Sequence, residues 1–341
     1  MLTLSRRATI LGLLTASAAP LRAAGLVPLR IEVPNVRNLQ FFSLWVALGA
    51  KLFEGEGFSP QILPAPQPRS VGGRLFTGEA DVAVLPPPMY LGMMAEGKPI
   101  RLFANLFANE PINLVLRKDV AARLKIPSSA PLREKLQALK GLKVGVAGEP
   151  PPRLHAMFAA GAMDAKTDVE IVIVPGPGQV AAIRDRAVDA LFAHTPYLET
   201  AMVEHGAVLI VDTSGGEVPG LAGGQIHALG ATAMRIAENP AMILAATRAI
   251  ARAQRLAHSD LPATVDALIA SGATNAARPQ VEAIAAIYAD AVPLAPHISI
   301  PGIRRAAELY PAHPRHPDFS RTGPEAFVAR DFAVEAISSL P

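Results

Sequence analysis

Polar side chains follow several predicted strands at the point where each strand ends, and they are the residues best placed for ligand chemistry. In open α/β sheets, ligands lie outside the carboxyl ends of the strands. Amides, a guanidinium, an imidazole and hydroxyls can hold a solute there by hydrogen bonds and charge. We therefore expect ligand contacts from Asn35, Arg37, Asn38, Gln40, Met89, Tyr90, Gly148, Glu149, Arg153, His194, Thr195 and Tyr197.

Some of these residues also have a structural interpretation. Asn38 and Gln40 have side chains that can cap the first helix. Tyr90 and Tyr197 can pack against helices instead of lining a cleft. His194 either faces the ligand or is an ordinary surface histidine. The sequence leaves these alternatives open.

Two similar stretches of sequence indicate that the chain contains two copies of one α/β unit. Residues 78–90 place Asp81 before a short apolar strand that runs into prolines, and residues 187–197 place Asp189 in the same position. We expect both aspartates to have a structural role at the turn from helix to strand. The loops that follow the two strands are expected to face each other across a cleft.

The first unit alternates strands and helices, which predicts a parallel sheet covered by helices. Its predicted elements are a strand at 29–33, a helix at 39–56, a strand at 58–63, a short helix ending at 78, a strand at 81–85, a helix from 88 to 96 and strands at 100–107 and 112–117. The second unit has strands at 143–146, 169–174, 189–192 and 208–211. Its helices are predicted at 153–162 and 198–205, with another that ends at 186.

The last third of the chain is predicted to be helical. An extended segment at 225–234 leads into it, and Asn239 with Pro240 is a helix-start signal. Helices are expected at about 242–258, 262–270, 279–291, 301–309 and 324–337. Arg248, Arg252 and Arg255 form one stripe, either a solvated face or a docking surface.

Composition limits the class of protein. The 341 residues are 50% hydrophobic and 18% charged, which predicts folded domains with sizeable cores. The net charge of +3 comes from Arg6, Arg7 and Arg22, since the remaining chain balances 29 basic against 29 acidic residues. We therefore expect no nucleic-acid partner.

Residues 1–24 resemble an export signal. Ser5-Arg6-Arg7 precedes an apolar run, and small residues near Ala18 and Ala23 offer cleavage sites. The arginine pair resembles a twin-arginine signal. The sequence lacks the Phe that usually follows the two arginines, so export by the general secretory route is the alternative. We expect a periplasmic protein with its signal removed and no membrane span.

The sequence lacks the phosphate-binding, dinucleotide-binding, serine-hydrolase and zinc-protease motifs. It has no cysteine, which excludes disulfides, thiolate metal sites, a cysteine nucleophile and a lipidated cysteine anchor. His297, His313 and His316 lie in a Pro-rich setting beside a single carboxylate, Asp318, so no metal site is expected. No cofactor and no catalytic residue is predicted.

Four segments together resemble the solute-binding proteins of ABC transporters, in the nitrate/sulfonate/taurine and thiamine-pyrimidine-precursor group. They are 53–58, 75–84, 139–146 and 188–197. The resemblance implies a type II periplasmic binding fold: two doubly wound α/β lobes with a hinge, and crossings near 110–113 and 225–228. The implied lobes are 25–112 plus 228–341, and 113–227.

The resemblance also implies a monomeric receptor that captures a small molecule and delivers it to an ABC permease. Backbone amides at the starts of the helices predicted at 39–56 and 153–162 could hold an anionic group. Pro150, Pro151 and Pro152 remove three donors from the second of these starts, which weakens the case for a sulfonate or nitrate there. One alternative is an enzyme on the same fold, of the pyrimidine or menaquinone pathway type. The pyrimidine type uses a Cys-rich site, and this chain has no cysteine. The menaquinone type is cytosolic, so export of this chain would count against it. The other alternative is a sensory protein.

Overall fold

The computed structural model describes residues 25–148, 151–310 and 316–340. The predicted signal at 1–24, Glu149 and His313 lie outside the described residues. Within them, no helix is both long enough and apolar enough to cross a membrane.

The described part of the chain contains two five-stranded sheets. Sheet one has the order β2-β1-β3-β10-β4, formed by β1 (Val27–Val33), β2 (Phe58–Pro64), β3 (Val82–Leu85), β4 (Ile100–Phe107) and β10 (His227–Thr232). Sheet two has the order β7-β6-β8-β5-β9, formed by β5 (Asn113–Leu116), β6 (Lys143–Val146), β7 (Glu170–Ile173), β8 (Ala190–Ala193) and β9 (Val208–Val211).

Both sheets are mixed: the strands that alternate with helices, β1 to β3, are parallel as predicted, and one strand in each sheet is antiparallel to its neighbours. In sheet one, β1 runs parallel to β2 and β3, while β10 runs antiparallel to β3 and β4. In sheet two, β6 runs parallel to β7 and β8, while β5 runs antiparallel to β8 and β9. The inverted strands, β5 and β10, are those that enter each sheet from the other one. They arrive without the crossover helix that would keep a strand parallel.

Helices cover the faces of both sheets and form the last third of the chain. They are α1 (Phe42–Gly49), α2 (Gly73–Thr77), α3 (Pro87–Ala95), α4 (Lys118–Leu124), α5 (Leu132–Gln137), α6 (Pro152–Ala160), α7 (Gly178–Arg184), α8 (Tyr197–His205), α9 (Ala233–Glu238), α10 (Pro240–Ser259), α11 (Leu261–Ala270), α12 (Arg278–Tyr288), α13 (Ile300–Leu309) and α14 (Asp331–Ser338).

The helix predicted at 39–56 is shorter in the structure. A Cβ on Gly49 would lie 1.8 Å from the Ala267 carbonyl oxygen, so close packing of α1 on α11 requires glycine there. Lys51 follows with a positive φ of 54°, which ends the helix. The helix predicted at 324–337 is also interrupted, since a 3-10 turn at Pro324–Phe327 precedes α14.

The apolar residues divide according to the sheet that they cover. Sheet one shares a large core with α10, α11 and α12. Successive residues of β5 alternate between the faces of sheet two, with Leu114 and Leu116 in one cluster and Val115 in the other. Each sheet therefore has its own core.

Asp81 and Asp189 have the same structural role in the two sheets. The Asp81 carboxylate accepts the Arg30 backbone N–H at 2.9 Å and the Arg30 Nη2 at 2.7 Å, and the Asp81 N–H donates to the Arg30 carbonyl at 2.9 Å. Asp189 accepts the Lys143 N–H at 3.0 Å and donates to the Lys143 carbonyl at 2.8 Å. Each aspartate thus fixes the strand beside its own. The structural role expected from the repeat is confirmed.

Asp81→Ala is expected to lower the free energy of unfolding by about 2 kcal/mol, because Arg30 loses a partly buried, bidentate partner. Burial opposes ionisation of Asp81, but the Arg30 bonds outweigh it and lower the carboxyl pKa. Its stabilising effect is therefore present above about pH 4 and is lost as the pH falls further through the lowered pKa. Urea unfolding at pH 7 and pH 3 measures both effects. Asp185→Ala is the matched exposed control, and an equal loss there would contradict the assignment.

Candidate functional site

A cavity of about 500 Å³ lies between the two sheets. Its walls come from the ends of strands, the starts of α1, α3 and α6, and both segments that connect the sheets. The lining residues are Pro34, Asn38, Gln40, Phe41, Pro68, Arg69, Pro86, Pro87, Pro88, Met89, Glu110, Pro111, Ile112, Arg153, Ile226, His227 and Tyr310.

Much of this wall is apolar. Phe41 lies just before α1, and Met89 lies in the first turn of α3. Ile112 and Ile226 come from the two connections between the sheets and are 7% and 4% exposed. A ligand that enters can therefore bury apolar surface against both sheets, which favours binding by about 25 cal/mol for each Å² removed from water.

Glu110, Arg153 and Tyr310 form a charged cluster in the cavity wall. Arg153 Nε lies 3.4 Å from Glu110 Oε1, and the Tyr310 hydroxyl donates to Glu110 Oε2. The Arg153 guanidinium lies over the Tyr310 ring, 5.6 Å from its centroid. Burial lowers the Arg153 pKa, but Glu110 and Tyr310 raise it by more, so the guanidinium keeps its charge. Burial raises the pKa of Tyr310 well above its ordinary value, and its hydroxyl stays a donor.

His227 is the first residue of β10 and is 5% exposed. Its ring packs edge-on against Phe41, with centroids 5.0 Å apart. Nδ1 is buried and has no hydrogen-bond partner among the described residues. Burial, aided by the Arg153 charge, lowers the His227 pKa to about 3, so the ring is neutral at physiological pH. The cavity wall thus holds a neutral imidazole with an unpartnered nitrogen.

Asn38, Gln40, Met89 and Arg153 are the predicted site residues that line the cavity. The first three lie where β1 and β3 give way to α1 and α3, and Arg153 lies in the first turn of α6. The Asn38 carbonyl accepts the Trp45 indole N–H at 2.7 Å, which holds the loop before α1 in place. Asn38 Oδ1 also accepts the Gln40 N–H at 2.9 Å, which closes a turn before the helix; the N-cap of α1 is Phe41 and receives no side-chain bond, so Asn38 and Gln40 do not cap the helix.

The other predicted residues of the first unit lie away from the cavity lining. Asn35 is exposed, and its Oδ1 accepts the Arg37 N–H at 2.8 Å. The Arg37 guanidinium donates to Asn275 at 2.8 Å, on the far side of the loop. Tyr90 is fully buried, and its hydroxyl donates to the Gln225 carbonyl at 2.5 Å. Tyr90 therefore ties α3 to a connection between the sheets.

Four predicted residues of the second unit that the structure describes do not line the cavity either, namely Gly148, His194, Thr195 and Tyr197. His194 Nδ1 lies 2.7 Å from the Thr195 carbonyl, and its ring packs at a tilt of 56° against Tyr197 with centroids 5.6 Å apart. Thr195 is buried and Gly148 half-buried. Burial lowers the His194 pKa, and the Arg153 charge lowers it further, so this turn lies within electrostatic reach of the cavity. The turn is closed by its own contacts and is not part of the cavity lining, and the expectation that it faces the start of α3 stays a prediction.

Sequence reasoning missed Glu110, His227 and Tyr310. Glu110 and His227 flank strands β5 and β10 at the two crossings, which the family resemblance had located. Their position at the crossings was the signal that could have identified them, because a connection between two sheets passes through the space between the sheets. Tyr310 follows α13, and its place beside Glu110 depends on a contact across 200 residues. The sequence carries no local signal for it.

No group of three or more His, Asp or Glu side chains within the described residues could hold a metal ion. His313, one of the three histidines considered above, lies outside them.

Solved structures with the same fold are numerous, and they are distant in sequence. A ligand-binding component of an ABC-type import system from Staphylococcus aureus gives a TM-score of 0.62 at 11% identity, covering 91% of this chain and 99% of its own. The aliphatic sulphonate-binding protein SsuA from Escherichia coli gives 0.57 at 16%, covering 83% and 90%. The desulfurization enzyme DszB gives 0.57 at 15%, covering 92% and 99%. This chain therefore has the type II periplasmic binding fold, which serves both receptors and an enzyme.

A comparison of the sequence with curated proteins finds no match. The model of the NMT1-like family matches residues 31–271, which is most of the chain and spans both sheets. The chain belongs to the NMT1-like family.

Proposed function

We propose that the protein is an exported receptor that captures a small molecule between two lobes and delivers it to an ABC permease. The lobes would be 25–112 plus 228–341, and 113–227, each built around one sheet. The receptor would work in the periplasm as a monomer, after removal of residues 1–24, and would perform no chemistry on its ligand.

The cavity between the sheets is the observation that carries this proposal. Its volume of about 500 Å³ lies within the range of small-molecule sites. Both connections between the sheets supply lining residues, so a ligand would touch both lobes and their hinge. Such an arrangement allows bending at the connections to open and close the site. The family match and the ABC-type receptors among the structural relatives favour the same function.

A thermal-shift panel tests the proposal with sulfonates, nitrate, pyrimidines, flavins and amino acids. A cognate ligand at a hundred times its dissociation constant should stabilise the protein by about 2.7 kcal/mol. Met89→Trp fills the cavity from the first turn of α3 and should abolish the shift, while Met89→Leu should keep it. Stabilisation that persists in Met89→Trp would place binding elsewhere and contradict the proposal.

The enzyme alternative has less support. DszB shows that the fold can carry catalysis, and one of its structures is a mutant in which a cysteine is replaced by serine. This chain has no cysteine, so it offers no thiol for chemistry. Deletion of the gene distinguishes a sensory role from transport. Loss of a transport receptor is expected to abolish uptake of the solute, whereas loss of a sensor would abolish only a response.

A further inference from the structure

We propose that the cavity selects an uncharged organic molecule with an apolar body and one hydrogen-bonding edge, in preference to a sulfonate or another strong anion. This inference rests on the proposed function and narrows its ligand class.

The buried cation of the cavity already has an anionic partner. The Glu110 side chain is 3% exposed and lies against the Arg153 guanidinium, whose side chain is 24% exposed. Tyr310 holds the second Glu110 oxygen, so the carboxylate is fixed on both sides. An anionic ligand at Arg153 would meet the charge of Glu110 in a low-dielectric wall, where repulsion between like charges is strong. The pair is neutral as a unit and favours a neutral ligand.

Two helix starts that could bind an anion lack amide donors. α3 begins with Pro86 as its N-cap and two further prolines, and the first available N–H, from Met89, donates to the Pro86 carbonyl at 3.0 Å. α6 begins with Pro151 and Pro152, and the Leu154 N–H donates to the Pro151 carbonyl at 2.9 Å. Anions bind helix starts through free N–H groups, and the starts of α3 and α6 offer few, which leaves the start of α1 as the one helix start at the cavity, among the described residues, without prolines.

His227 supplies the polar contact that a neutral ligand can use. Its Nδ1 is buried in the cavity wall without a hydrogen-bond partner among the described residues, and a buried polar atom left in that state costs about 1 to 3 kcal/mol. Nδ1 has almost no accessible surface, so a neutral hydroxyl, amine or amide on the ligand would remove this cost once the ring turns toward the cavity. The depressed His227 pKa agrees with an imidazole that carries no charge toward the ligand.

Arg69 is a further cation at the cavity, but it does not change the preference for a neutral ligand over an anion. Its side chain is exposed to solvent. Attraction between a ligand and a solvated, screened charge contributes little. The accessible apolar surfaces of Pro68, Pro88 and Met89 remain the main source of affinity.

Two fluorescent probes with the same ring system test the inference directly. N-phenyl-1-naphthylamine is uncharged, and 1-anilinonaphthalene-8-sulfonate adds a sulfonate to that body. We expect the full chain to bind the uncharged probe at least about tenfold more tightly in fluorescence titrations. Met89→Trp should weaken it by about tenfold or more, and Met234→Trp, at an exposed position of α9, should not. Tighter binding of the sulfonate to the wild-type cavity would overturn the inference and leave the receptor function intact.

Glu110→Gln provides the charge test, because it removes the partner of Arg153 and keeps the shape of the side chain. The variant should bind the sulfonate about tenfold more tightly than wild type, with the uncharged probe changed by less than about twofold. An unchanged preference would show that Glu110 does not set the charge of the site. The ratio of the affinities of the wild-type protein for the two probes decides the inference even if this variant folds poorly. If neither probe binds and no compound of the thermal-shift panel does, the receptor function itself fails.

Discussion

Glu199→Gln is expected to raise the free energy of unfolding by about 3 kcal/mol at pH 8 and to leave it unchanged at pH 4. Glu199 lies in α8 with no exposed surface, and neither carboxylate oxygen has a hydrogen-bond partner among the described residues. Burial raises its pKa from 4.5 to about 7.

The sign follows from the protons bound in each state. Between pH 4.5 and 7 the unfolded chain loses this proton while the folded chain keeps it, so stability falls as the pH rises through that window. Glutamine cannot ionise and escapes the loss. His227 has the opposite effect, because its lowered pKa removes stability as the pH falls from about 6.5 toward 3. The difference between variant and wild type isolates Glu199.

Urea unfolding at pH 4, 6 and 8 measures the effect of Glu199→Gln. Glu170→Gln is a suitable control, since that carboxylate is 60% exposed and should show almost no pH-dependent difference. If Glu199→Gln changed stability equally at all three pH values, Glu199 would not be a buried acid that holds its proton.

Arg153→Met is expected to lower the free energy of unfolding by about 3 kcal/mol, because it leaves the buried Glu110 carboxylate without its cationic partner. Methionine keeps much of the apolar stem of arginine and removes only the charge. The Tyr310 hydroxyl still donates to Glu110 but cannot neutralise it.

The double variant Arg153→Met with Glu110→Gln is the control for this prediction. It contains no unpaired charge and should recover about 2 kcal/mol of the loss. Glu110→Gln alone should cost less than Arg153→Met, because the Arg153 side chain is 24% exposed and can reach solvent. Equal losses in the single and double variants, measured by urea unfolding, would mean that the two residues are not coupled.

Local patterns predicted much of the fold. β4, β6 and β9 have the predicted bounds, because each is a short run rich in apolar or β-branched residues with turn signals on both sides. The direction of β5 and β10 could not be predicted in this way. Strand direction depends on the sheet from which the chain arrives, which is a property of the whole topology.

The site shows the same limit at the level of single residues. The rule that ligands lie at strand ends found Met89 and Arg153, and it also selected Tyr90. Met89 and Tyr90 are neighbours on α3, and one helical step of about 100° sends one to the cavity and the other into the core. No sequence pattern at that position fixes the helix rotation.

Long-range pairing also decides the role of the arginine stripe on α10. Arg252 Nη1 lies 2.8 Å from Glu56, and Arg248 donates to Ser339 at 2.8 Å. These side chains contact residues almost 200 positions before and 90 positions after them. The sequence offered a solvated face or a docking surface, and the structure shows that Arg248 and Arg252 make contacts within the chain.

Native mass spectrometry tests most directly whether the cavity between the sheets is a ligand site. Wild-type protein, incubated with a small-molecule extract of cells and then desalted, should carry one bound molecule per chain. Met89→Trp, treated identically, should show the mass of the bare chain. A bare mass for the wild type, or the same adduct on Met89→Trp, would contradict a receptor that binds its solute in this cavity.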